Sequence, residues 1–141
     1  MSNIWKCKIP LKVQIFLWMA FQDRIQSAVQ LKKRKWGGDA GCKLCGELET
    51  ADHLLFSCPI AVFVWVFLKE ALSLERAFSS RAELLNLVLV KKKGLDRTNL
   101  LFVCAGAMWT LWKTRNDLVF NDKLISSPMV LMYKLVALLK N

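Results

Sequence analysis

Histidine is almost missing from this sequence: one copy, His53, stands in 141 residues. Acidic residues are scarce too, 11 against 21 Lys and Arg, which leaves a net charge of +10 and favours polyanionic partners over basic ones. There is no glycine-rich loop of the P-loop or dinucleotide-binding form, so neither a nucleotide cofactor nor a small-molecule substrate is indicated. Long apolar runs are missing as well. The uncharged stretches Pro59 to Leu68 and Thr98 to Trp112 fall short of the roughly 18 to 20 residues that span a bilayer, so no membrane span is expected. Behind Lys6, Lys8 and Lys12 only seven apolar residues follow, Ile15 to Phe21, too few for a secretory signal. No strictly alternating strand pattern, internal repeat or low-complexity linker interrupts the chain.

What remains is rich in core-forming residues. The chain is 55 % hydrophobic and holds six Trp and eight Phe, ample for one domain of this length. Four of its residues carry the most specific chemistry. Cys42, Cys45, His53 and Cys58 are spaced C-x2-C-x7-H-x4-C, and a C-x2-C pair presents two sulfurs to one metal from a single tight turn, which Gly46 suits. Thiolate and imidazole donors in this number fit a closed tetrahedral Zn2+ site. Two other readings stand beside it: buried cysteines and a core histidine brought together by chance, and an iron–sulfur centre, where the histidine would be an unusual ligand. Cys7 and Cys104 lie outside the quartet, and the five cysteines form no evenly spaced disulfide framework. Metal thiolates call for a reducing compartment, hence an intracellular protein of the nucleus or cytoplasm.

A hydrolytic zinc enzyme keeps one coordination position open for water, whereas four protein donors close this one. With His53 on the metal, no histidine is left as a general base. Glu47, Glu49 and Asp52 beside the quartet are read as solvated residues that cap the following short helix. The expectation is a protein without catalytic residues.

Charge is unevenly placed. Residues 1–36 carry +7, residues 37–58 carry −3, residues 59–90 balance, and residues 91–141 carry +6. Two basic arms thus flank a locally acidic zinc segment, and each has a dense run. Arg24 and Lys32-Lys33-Arg34-Lys35, with Trp36 able to stack on a base, form one candidate nucleic-acid surface; Lys91, Lys92, Lys93, Arg97, Lys113 and Arg115 form the other. A lysine run at a helix end is equally a solvated terminus that complements the helix dipole, and Trp36 equally an anchor on the core. Arg115 and Asn116 are divided between a partner and a neighbouring helix end.

Periodicity predicts an all-α fold with a zinc-stapled loop. Helices are expected over Pro10–Gln22, central and largely buried; from Ser27 through the basic run, stopping before Gly37-Gly38; over about one turn from His53 to Cys58; and from Pro59 through Leu72. Ser79-Ser80-Arg81-Ala82-Glu83 has the form of a capping box, and a long helix from about Asp96 to Phe120 and a last one from Pro128 to Leu139 complete the set. Phe16, Trp18, Trp65, Phe102 and Trp112 are the expected core.

The residues also carry a resemblance. The run Ile4-Trp5-Lys6, Ile9-Pro10-Leu11-Lys12-Val13, Ile15-Phe16-Leu17-Trp18, the knuckle Cys42-Lys43-Leu44-Cys45-Gly46, and Asp52-His53-Leu54-Leu55-Phe56-Ser57-Cys58-Pro59 resembles the zinc-binding domain that follows the reverse transcriptase in plant non-LTR retroelements. Trp109-Thr110-Leu111-Trp112 with Arg115-Asn116 and Phe120 is similar to the stretch that follows in the same proteins, ahead of an RNase H domain. The resemblance implies a fragment or stand-alone derivative of a retroelement polyprotein, binding nucleic acid, RNA before DNA, with neither the polymerase nor the RNase H activity. It divides the chain into a zinc-binding part, 1–75, and a helical extension packed on it, 76–141. The alternative is a module for protein partners or self-association through exposed apolar helix faces.

Overall fold

A computed structural model describes the backbone of residues 10–74, 76–90 and 95–140, and of these all side chains except those of 87–90 and 95–98. Six α-helices and one π-helical turn appear, and no strand stands among the described residues. The helices are α1 (Leu11–Phe21), α2 (Ala28–Lys33), α3 (Pro59–Ala71), α4 (Arg81–Val90), α5 (Leu95–Asn121) and α6 (Met129–Lys140), with the π-turn at His53–Ser57 ahead of α3. The all-α expectation holds.

The long helix α5 is the spine. Its apolar middle, Leu100, Leu101, Cys104, Ala105, Ala107, Met108 and Leu111, is buried, and α1, the π-turn, α4 and α6 all pack against it. Gly106 lets α6 come close, since a Cβ there would stand 2.9 Å from Leu135 Cδ1 and 3.1 Å from Leu139 Cδ2. Phe16 of α1 meets the rings of Trp109 and Trp112 at 5.5 and 5.6 Å.

α1 is less enclosed than its composition suggests. Val13, Phe16, Leu17 and Ala20 form the buried stripe at helical spacing, while Leu11 and Ile15, one turn apart on the other side, are 63 % and 44 % exposed. The helix has one large neighbour, so one face suffices. Trp18 is accordingly half-buried and stands outside the core cluster, whereas Phe16 and Trp65 lie in it and Phe102 and Trp112 pack on its edge.

α2 starts as expected, with Ser27 Oγ accepting from the Gln30 amide, but it stops earlier, at Lys33. Arg34 and Lys35 already form its cap, Lys35 taking a left-handed φ of 63° while the Trp36 amide returns to the Leu31 carbonyl. The capping box before α4 is present in shifted form. Ser80 Oγ caps the Glu83 amide, and the Glu83 carboxylate, held below its usual range chiefly by the Ser79 hydroxyl, accepts from the Ser79 hydroxyl and amide.

Candidate metal centre

Residues 40–49 fold back on themselves around the first two cysteines. The Glu49 amide donates to the Ala40 carbonyl, the Cys42 amide to the Glu47 carbonyl, and the Gly46 amide to the Cys42 carbonyl at 2.8 Å. Gly46 sits at φ +83°, a conformation that costs an L-residue about 1–2 kcal/mol. Gly46→Ala is therefore expected to destabilise the protein by about 1 kcal/mol and to weaken metal retention in a chelator competition. An unchanged midpoint in both assays would show that the turn has another solution.

The other two donors come from the π-turn. In an α-helix, positions five residues apart are rotated about 140° from one another, so His53 and Cys58 would diverge. The wider turn, closed by the Cys58 amide on the His53 carbonyl at 2.8 Å, carries both toward the knuckle. Pro59 then opens α3 at its first position, where no amide is needed. Trp65 fastens this helix to the turn: its indole N–H donates to the Leu55 carbonyl at 2.6 Å and its ring stacks on Phe56.

The four donor atoms lie within 4.8 Å of one another. Cys42 Sγ and Cys58 Sγ are 3.8 Å apart, and Cys45 Sγ stands 3.2 Å from His53 Nε2. A tetrahedron with bonds of about 2.3 Å has edges of about 3.8 Å, so the set fits a zinc-sized ion bound through three sulfurs and Nε2. Cys42 and Cys58 are buried, Cys45 is exposed and His53 half-exposed, so the site is open on one flank. In the sulfur pair the neighbouring Cys58 thiol, then the Leu44 and Cys45 amides, favour Cys42 as the thiolate, while the same contact and burial hold the proton on Cys58. A cation there would displace that proton. Cys104 is different: completely buried in α5, its thiol is pushed up to about 12 and it is inert.

Glu49 is not the solvated cap that its sequence position suggests. It is 1 % exposed, and its Oε1 accepts from the Ala28 amide (2.8 Å) and from Arg115 Nε and Nη2 (3.1 and 2.6 Å). The His53 amide is capped by Thr50 Oγ1 instead. Asp52 reaches across to α4, pairing with Arg81 Nε at 2.8 Å, while Arg81 Nη1 donates to the Ala20 carbonyl. Of the three acids only Glu47 makes none of these contacts, and it is exposed.

Arg115 is therefore not one of the exposed cations of the candidate nucleic-acid surface; it lies inside the fold. It is 3 % exposed, its charge is committed to Glu49, its Nη1 bonds Asn116 Oδ1, and its guanidinium lies over Trp112 and Phe120. Arg24, Lys32, Lys33, Arg34, Lys35 and Lys113 are exposed. Trp36 is half-buried, edge-on to Phe120 and covering Gly38. Lys113 Nζ sits 6.0 Å from the Trp109 ring, with Lys12 at 5.8 Å, a cationic pair that sequence reasoning did not join. Lys91, Lys92, Lys93 and the Arg97 side chain lie outside the described residues.

A helical core carrying one Cys3His cluster that could hold a metal ion fits a zinc-binding domain. Residues 1–65, just under half of the chain, match the family described as zinc-binding in reverse transcriptase, and this stretch is similar to retroelement zinc-binding domains. A ribonuclease H-like protein of Arabidopsis thaliana is 26 % identical over 121 residues, covering 84 % of this chain. The match takes in only 20 % of that relative's length. No solved structure matches the chain. Among the described residues no helix is long and apolar enough to cross a membrane.

Proposed function

We propose that the protein is a non-catalytic, zinc-stapled module that binds nucleic acid inside the cell, RNA in preference to DNA. The observation that carries this reading is the run Lys32-Lys33-Arg34-Lys35, four exposed cations displayed on the last turn and cap of α2 directly before the metal loop, with Trp36 at its end. None of the four has an acidic partner among the described residues. Cations arranged so release counterions from a phosphate backbone, and an adjacent ring favours unpaired bases, which RNA offers more often than duplex DNA. The same reading takes residues 1–75 as the zinc-binding part and 76–141 as an extension folded onto it as one unit, a view supported by the Glu49–Arg115 pair between them. The metal would be held by Cys42, Cys45, His53 and Cys58 in a structural role, supplying rigidity to the loop that presents the cations.

The test is fluorescence anisotropy with single-stranded RNA, hairpin RNA and duplex DNA at about 50 and 200 mM salt. If four phosphates of a single strand are neutralised, affinity falls about 50-fold across that range, and reversing Lys32 and Lys33 to Glu removes most of the slope. No binding at the lower salt would overturn the reading. First place would then pass to a protein partner on α3, whose outer side carries Val62, Val66 and Phe67, each more than 40 % exposed, the last two lining a shallow apolar cleft of about 530 Å³.

A further inference from the structure

A second cleft, of about 350 Å³, opens between the metal loop and the C-terminal half of α5. That volume lies within the range of small-ligand sites, roughly 300–1,000 Å³. Trp36 forms one wall, Asp39 and Lys43 stand exposed at the mouth, and Glu49 and Arg115 line the interior. The buried pair is not chemically exhausted. All three hydrogen bonds to Glu49 fall on Oε1, and Oε2 accepts none among the described residues although the residue is 1 % exposed. Of the five N–H donors of Arg115, two go to Glu49 and one to Asn116, which leaves two.

A carboxylate oxygen with free lone pairs beside spare guanidinium donors is complementary to a group carrying two adjacent N–H donors next to a carbonyl. The Watson–Crick edge of guanine is such a group: N1–H and the N2 amine can converge on Glu49 Oε2 while O6 accepts from Arg115. Adenine and cytosine each offer one donor group beside a ring acceptor, and uracil a single N–H between two carbonyls. The indole of Trp36 supplies an aromatic wall for a planar ring, and Lys32 to Lys35 precede it on the chain where a phosphate backbone would run.

We infer that this cleft receives one unpaired guanine base of a single-stranded nucleic acid, read by Glu49 and Arg115 and stacked on Trp36. The inference rests on the nucleic-acid reading and gives it a base preference. The test uses the zinc-loaded full chain and labelled eight-nucleotide uridine RNAs with one central guanosine, inosine or adenosine, with GMP as competitor. Guanosine should bind about tenfold tighter than adenosine, with inosine, which lacks the N2 amine, between them. Trp36→Ala should erase the difference between guanosine and adenosine. Equal affinity for the three RNAs, with a steep salt dependence, overturns the guanine site and leaves general nucleic-acid binding intact; no binding to any of them overturns both. GMP competing as well as the guanosine RNA would overturn the assignment to a strand and transfer the site to a free nucleotide.

Discussion

Arg115→Met is expected to destabilise the protein by about 3–5 kcal/mol in urea denaturation, the cost of leaving one member of a buried ion pair without its partner. The residue left behind would be Glu49, 1 % exposed and able to keep only the Ala28 amide. Because that amide opens α2, the substitution should also loosen the helix end that displays Lys32 to Lys35. The double variant Arg115→Met with Glu49→Leu should recover a large part of the loss, since two apolar groups of similar volume leave no stranded charge. A single-variant cost below about 1 kcal/mol would show that Glu49 finds water or another cation in the cleft.

Cys58→Ser should lose most of the bound zinc and lower the thermal midpoint without unfolding the whole chain. Cys58 is both a donor and the cap residue of α3, so its loss releases the π-turn and the knuckle together. α5 and α6 are held by their own apolar contact, including Leu131, Met132 and Leu135, so their packing is expected to persist without the metal. Hydrogen exchange should therefore accelerate at residues 40–58 while the middle of α5 stays protected. Exchange that rises uniformly would mean the metal holds the entire fold; full zinc occupancy in the variant would remove Cys58 from the donor set.

Much of this was legible in the sequence, and the failures have physical causes. The C-x2-C pair, the lone histidine and Cys58 were found by spacing because metal chemistry restricts both residue type and position. Pro10, Ser27 and Pro59 marked helix starts correctly, since caps and missing amides act locally. Burial was harder. The apolar residues of α1 fill its circumference and predict an enclosed helix, but Leu11 and Ile15 show that composition does not count neighbours. Glu49 and Arg115 lie 66 positions apart, and neither local pattern nor charge statistics joins them. The sequence pattern reads Glu49 as a solvated cap and divides Arg115 between a partner and a neighbouring helix end; only the fold reveals a pair. A change of one residue in hydrogen-bond register leaves no compositional trace, so the sequence pattern does not tell the π-turn from an ordinary helical turn.

The most direct test of the zinc-stapled domain is titration of the metal-free full chain with cobalt(II), followed by zinc. One equivalent of cobalt should produce strong visible ligand-field bands and thiolate-to-metal charge transfer, the signature of tetrahedral coordination by three sulfurs and one imidazole, and one equivalent of zinc should bleach both. A weak octahedral spectrum, or saturation well away from one equivalent, would contradict the account.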